Sequence, residues 1–145
     1  MKKNLHISFY NLILGFFIKK GNKSKAKALL DNTFLIVQKK TKKPLSFLLN
    51  ILFFKLGTVI EVKKVSIGKR THYIPIVIGP KRRIYLIIKW LKQAISLDKR
   101  KVSVSVKLAD EILKVLSNKP CHSLNTRNEN LKLASSNRSN IYYRW

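Results

Sequence analysis

Lys63, Lys64, Lys69 and Arg70 in one segment, followed by Lys81, Arg82 and Arg83, are side chains whose chemistry is anion binding. Their ammonium groups act as point charges on phosphate, and the guanidinium groups add bidentate geometry. Similar clusters recur at Lys19, Lys20, Lys23, Lys25 and Lys27, at Lys99, Arg100 and Lys101, and at Arg127, Arg138 and Arg144. Against 31 Lys+Arg the chain has 6 Asp+Glu, a formal charge of +25 on 145 residues. A merely solubilising surface would intersperse both signs. One this lopsided repels itself when isolated, so the compensating anions belong to a partner, and RNA or DNA supplies them through counterion release.

Other chemistries find few residues. His6, His72 and His122 are far apart, and the adjacent pair Cys121-His122 makes a poor chelate, so neither a metal nor a cofactor is expected. Asp110 and Glu111 are neighbours on a helix that point in different directions, which reads as a solvated face rather than an acid/base pair. Gly21-Asn22-Lys23-Ser24 has the letters of a phosphate loop without its earlier glycine or preceding strand. No active site is expected. The single cysteine cannot form an intramolecular disulfide. Tyr73, Tyr85, Trp90, Tyr142, Tyr143 and Trp145 lie near the charges and either stack on bases or serve as ordinary packing.

The elements that carry these clusters follow from apolar spacing. Phe9, Leu12, Ile13, Phe16 and Phe17 form one helical face after a short extension, residues 1–8. Residues 5–18 superficially resemble a signal peptide, but Asn11 and Gly15 interrupt the run and a core helix fits better. Ala26, Leu29, Leu30, Thr33, Phe34 and Val37 mark a second helix, and the basic run 39–43 a solvated connection. Pro44 suits the first position of a third helix with Leu45, Leu48, Leu49, Leu52, Phe53 and Leu56, which Gly57 ends.

Residues 59–65 and 72–78 then read as strands around a basic tip, 66–70. Pro75 confines its strand to an edge, so a two-stranded ribbon, residues 58–78, should project from the body and be mobile unless something grips it. Ile84, Ile87, Ile88, Leu91, Ala94 and Ile95 give a fourth helix after Pro80, and Leu108, Ala109, Ile112, Leu113 and Leu116 a fifth, capped by Ser103 or Ser105. Thr126-Arg127-Asn128-Glu129 has the letters of a capping box opening a sixth. Without internal repeats or linkers, residues 1–145 read as one mainly α domain: six helices with a protruding β-hairpin between the third and fourth.

The run 58–65, the basic tip, residues 73–78, Pro80-Lys81-Arg82-Arg83 and Lys89-Trp90 together resemble the universal family of small-subunit ribosomal protein seven. Gly21-Asn22-Lys23-Ser24 is similar to that family's turn between its first two helices, and residues 133–138 with Tyr143-Arg144-Trp145 to its ending. The resemblance covers roughly residues 9–145. It implies a structural protein, not an enzyme, that binds the 3′ major domain of small-subunit rRNA, starts assembly of the subunit head and reaches with its ribbon toward the exit site, where mRNA and tRNA pass. Neighbouring head proteins would be partners, and a membrane would not. By matching motif, rRNA-binding residues would be Lys23, Ser24 and Lys25, Lys81, Arg82, Arg83 and Lys89, Arg127, Arg138 and Arg144, while Lys63, Lys64, Lys69 and Arg70 would serve the exit site. Val65 and Ile67 stand where charge or glycine is usual, so the ribbon's hold on exit-site RNA should be weaker than in bacterial members or shared with other proteins. The family's basic arm before the first helix is almost absent.

The ending is more like organellar than bacterial members, and no Arg-rich presequence precedes the domain, so a ribosome within a mitochondrion is the expected location, a plastid or bacterial cytoplasm the alternative. Two rival readings explain the charge or the apolar start alone: a nucleoid-like DNA-binding protein, and a membrane-surface protein anchored by residues 5–18.

Overall fold

The computed structural model describes the backbone of residues 3–143 and the side chains of residues 9–66 and 68–143. These residues form six α-helices, α1 Lys3–Phe17, α2 Lys23–Thr41, α3 Leu45–Leu56, α4 Pro80–Leu97, α5 Val104–Leu116 and α6 His122–Ser136. A hairpin, β1 Ile60–Ile67 and β2 Arg70–Val77, lies between α3 and α4, and a 3₁₀ segment, Arg138–Tyr143, follows α6. Mainly helical architecture with an inserted hairpin is therefore what the apolar periodicity implied. Arg144 and Trp145 lie outside the described residues.

Helix α5 is the hub, packed against α2, α3, α4 and α6. Its Leu108, Ile112 and Val115 meet Leu30 and Val37 of α2, Leu48, Leu52 and Leu56 of α3, and Ile87 and Ile88 of α4 in one core whose members are almost wholly shielded from water. Thr33, in the α2 stripe, hides its hydroxyl by donating to the Leu29 carbonyl at 2.8 Å. Truncating any of the buried leucines to alanine would cost about 2–5 kcal/mol, so the stripes, not the caps, determine the fold.

Several local expectations are corrected. Helix α1 starts at Lys3, six residues before Phe9, so most of the supposed extension 1–8 is helical. Its buried face holds Phe9, Ile13 and Leu14, whereas Leu12 is 40% exposed. Those residues are committed to the protein core, which removes them from a membrane anchor, and among the described residues no helix is long and apolar enough to cross a membrane. Helix α2 runs on through Lys39 and Lys40, and the connection shrinks to residues 42–44, with Lys42 in the left-handed region at φ 53°. Pro44 is the residue before α3 rather than its first turn.

Thr126 lies a full turn inside α6, so Thr126-Arg127-Asn128-Glu129 is no capping box. Glu111 takes over that task from α5: its carboxylate, 8% exposed, accepts hydrogen bonds from the Ser123 backbone N–H at 3.0 Å and the Ser123 hydroxyl at 2.7 Å. A negative group there also meets the positive end of the α6 dipole. Glu111 is thus a buried joint rather than part of a solvated face.

The ribbon's turn has two residues, Gly68 and Lys69, since Ile67 pairs with Arg70. Gly68 takes φ +58°, the left-handed value that a two-residue hairpin loop asks of its first residue. What grips the arm is its base: α6 packs on both strands, Ile74 and Pro75 are buried, and the 3₁₀ segment lies along β2. There Asn140 donates to the Tyr73 carbonyl at 3.2 Å and the His72 and Tyr143 rings sit 5.0 Å apart. The tip, residues 68–71, is exposed.

Candidate nucleic-acid interface

The outward face of α4 organises the basic residues. Lys81 and Arg82, then Tyr85, Lys89 and Lys92 recur at helical spacing and are all exposed, opposite a side that buries Ile84, Ile87, Ile88 and Leu91. One end of this stripe meets the ribbon, the other the α1–α2 corner. Among the described residues no α-helix carries an acidic side chain in its first turn, so the positive ends of α2 and α4 are left to whatever anion arrives from outside.

At the corner, Lys20 and Gly21 both adopt positive φ, 50° and 75°, turning the chain so that α2 opens with Lys23, Ser24, Lys25 and Lys27 exposed. Asn22 makes no side-chain cap. Lys19, Lys20 and Lys25 rim a cleft of about 410 Å³ floored by Phe16, Phe17 and Leu29, and Lys92 closes it from α4 while donating to the Phe16 carbonyl at 3.3 Å. Phe16 in turn meets the Tyr85 ring edge-on at 5.2 Å, which ties the corner to the α4 stripe. Lys92 is absent from the motif-derived set. Its place one helical face along from Tyr85 and Lys89 was the available signal.

At the start of α4 the three adjacent cations separate. Lys81 is exposed. Arg82 makes a bidentate pair with Glu61 of β1, Nε to Oε2 at 2.8 Å and Nη2 to Oε1 at 2.7 Å, and lies 4.8 Å over the Tyr85 ring. The Arg82 hydrogen bonds hold the Glu61 carboxyl below the usual range, and the same bonds raise the Arg82 guanidinium. Arg83 is half-buried, 4.9 Å over the Phe53 ring, with Nε buried and without a partner. Arg82 is therefore partly neutralised, and Arg83 is a wedge between α4 and α3 as much as a surface charge. Lys89, exposed, borders a smaller cleft of about 200 Å³ with Glu61 and with Asn130 of α6.

On the ribbon, Lys63 and Lys64 are successive strand residues and so project to opposite faces, while Lys69 and Arg70 extend the charge to the tip; all four are exposed. Tyr73 lies across from Lys64 and is 40% exposed. Arg127 on α6 is half-buried, donating to Asn128 at 3.3 Å with its Nε buried and unpartnered, and Arg138 is exposed at the start of the 3₁₀ segment.

Of the two readings open for the aromatics, packing holds for Trp90, which is 4% exposed between α4 and the ribbon base, while Tyr73, Tyr85, Tyr142 and Tyr143 are accessible. Arg100 stays exposed but is held by Asp98 at 2.6 Å and by Asp110 at 2.9 Å, so the 99–101 cluster is a joint between α4 and α5 as well as a charged loop. Those bonds lower the Asp98 carboxyl to about 2. Among the described residues no group of histidine, cysteine and carboxylate side chains could hold a metal ion, and Cys121 is buried with its thiol pushed upward by that burial.

The family model described as ribosomal protein S7p/S5e matches residues 3–138. Among curated proteins, the chain is 32% identical over 125 residues to small ribosomal subunit protein uS7 of Caldicellulosiruptor saccharolyticus, covering 86% of this chain and 79% of that protein. It is 30% identical over 125 residues, with the same coverage, to the protein of that name from Metamycoplasma arthritidis, and 29% identical over 137 residues to that from Desulfatibacillum aliphaticivorans, there covering 94% and 84%.

Proposed function

The chain belongs to the ribosomal protein S7p/S5e family, which makes it a structural constituent of the small ribosomal subunit rather than an enzyme, and from that premise we propose that it clasps the 3′ major domain of small-subunit rRNA with the outward face of α4. The observation that carries this reading is the continuity of that face. Among the described residues Lys81, Lys89 and Lys92 stand in line without a salt bridge, with Lys19, Lys20, Lys23 and Lys25 at one end and the ribbon lysines at the other. A track of separated cations matches a phosphate backbone, and each contact displaces counterions. Ser24 at the corner and Arg127, Arg138 and Arg144 toward the carboxyl end extend the same role, with Arg82 and Arg83 contributing from partly committed positions. Binding of this kind would nucleate the subunit head, and the exposed ribbon tip would approach the mRNA and tRNA at the exit site.

A ribosome inside a mitochondrion is the finer location proposed. The organellar-like ending at residues 133–139 supports it, whereas the bacterial source of the relatives above suits the bacterial alternative.

Salt-dependent binding to a 3′ major domain transcript tests the rRNA reading. Replacing Lys81, Lys89 and Lys92 together by alanine should flatten the slope of log K against log salt by about 2–3, at roughly 0.7–0.9 per phosphate contact. An unchanged slope rejects the α4 track, and equal affinity for duplex DNA of the same length favours the nucleoid-like alternative.

A further inference from the structure

Helix α3 carries apolar side chains on its outer as well as its inner face, with Ser46 and Asn50 as uncharged polar exceptions. Its inner face buries Leu48, Leu49, Leu52 and Leu56, yet its outer face presents Phe47, Ile51 and Phe54 at the spacing of one helical stripe, with Phe47 44% and Phe54 76% exposed. Residues 44–54 contain no charge. Lys55, the one charged residue in the helix, is turned away to cap α5, donating to the Leu116 carbonyl at 2.6 Å and to Asn118 at 2.8 Å. A helix with exposed aromatics opposite its buried face is one that a partner can cover.

Resting on the ribosomal reading above, we propose that the Phe47–Ile51–Phe54 stripe seats an apolar segment of a neighbouring protein in the small subunit, one with carboxylates flanking its apolar centre. Charge selects the occupant. Between its ends the stripe offers a phosphate backbone no counter-charge, which disfavours RNA along its length. Its two ends are cationic: Lys43 Nζ lies 5.0 Å from the Phe47 ring centroid, and Arg83 covers Phe53, whose ring meets Phe54 at 6.1 Å.

A second copy is disfavoured because it would bring together two chains of +25 each. Size argues the same way. Aromatic side chains bury roughly 150–250 Å² each, and Phe47 and Phe54 have 44% and 76% of theirs still open, so this stripe provides on the order of 300 Å², below the ~800 Å² per partner of a self-sufficient interface. Such a contact holds when both proteins are already fixed on one RNA scaffold, where the second binding event is effectively intramolecular.

The test places a benzophenone photo-crosslinking residue at position 54, and separately at position 81, of the full chain in purified small subunits. The expected result at 54 is a protein adduct whose sequenced peptide has an apolar run flanked by Asp or Glu, with at least tenfold less rRNA adduct than at 81. An adduct mainly to rRNA, an adduct to another copy of this chain, or no adduct at 54 in subunits where 81 crosslinks to rRNA each overturns the proposal and spares the rRNA reading. Failure of the chain to enter subunits overturns both. A Phe47→Lys/Phe54→Lys double variant, altered only at exposed positions, should bind the isolated transcript within twofold of the parent while lowering occupancy of the crosslinked neighbour at least fivefold. Unchanged occupancy rejects the docking role.

Discussion

Removing the Glu111 carboxylate should loosen the molecule far more than its position in a run of two acids suggests. Glu111→Ala leaves the buried Ser123 N–H and hydroxyl without their acceptor and takes a negative charge from the positive end of α6. A hydrogen bond to a charged group contributes about 1.5–3 kcal/mol, and a favourable charge at a partly buried helix end up to ~2. The two bonds share one side chain and are not additive, so the combined loss is about 2–4 kcal/mol. For a chain of this size about 2–4 °C of melting temperature follows each kcal/mol, which gives a drop of roughly 5–15 °C by far-UV circular dichroism. Glu111→Gln, keeping one acceptor oxygen without the charge, should lose about half as much. Because α6 seats the ribbon, the alanine variant should also show faster amide exchange in β1 and β2 than in α2. If it melts within ~2 °C of the parent, the carboxylate is not the α6 anchor and the reasoning fails.

Two further outcomes follow from local geometry. Burial first, then the 2.6 Å hydrogen bond to Asp31, pushes the Tyr10 phenol up to about 12, so in an ultraviolet titration Tyr10 should ionise well above the ordinary tyrosine value of about 10. Asp31→Asn should lower its midpoint only part of the way, because burial is the larger cause; return to the ordinary value of about 10 would contradict this. The folded value lies above the unfolded one, so the stabilising contribution is whole below pH ~10 and fades as pH rises through about 12. Shortening the ribbon by joining Val65 to Thr71 should leave the melting temperature within error while altering exit-site function in reconstituted subunits; loss of folding would show the tip to be part of the core.

The fold was legible wherever apolar side chains repeat over several turns. The stripes of α2, α3 and α5 name nearly the residues that are buried, because many small burial terms sum along a helix and outweigh any single polar contact. What stayed hidden depends on residues distant in sequence. Glu111 reads as solvated until α6 is folded against α5, and Thr126-Arg127-Asn128-Glu129 imitates a cap that the chain makes three residues earlier, at Ser123, with a group from another helix. The candidate site was legible in the same measure. Basic clusters mark where charge lies, but Arg82 and Arg83 look equivalent to Lys81 until Glu61 and Phe53 arrive from β1 and α3. Lys92 joins the track only once α1 is packed beside α4.

Scarcity of acid, which first suggested a polyanionic partner, also explains where the acids are. Asp31 joins α2 to α1 through Tyr10, Glu61 joins the ribbon to α4 through Arg82, Asp98 and Asp110 share Arg100 between α4 and α5, and Glu111 joins α5 to α6. Only Glu129 of the six carboxylates is absent from such a joint among the described residues. Each of the five sits at a junction between elements and is half-buried or buried, while the α4 track and the ribbon tip carry none. A carboxylate on the open face would relieve self-repulsion in the free protein but would meet phosphate as a like charge when RNA arrives. Placing the acids at joints lets them fasten helices together while the outward field of the lysines stays undiminished for the partner that completes the neutralisation.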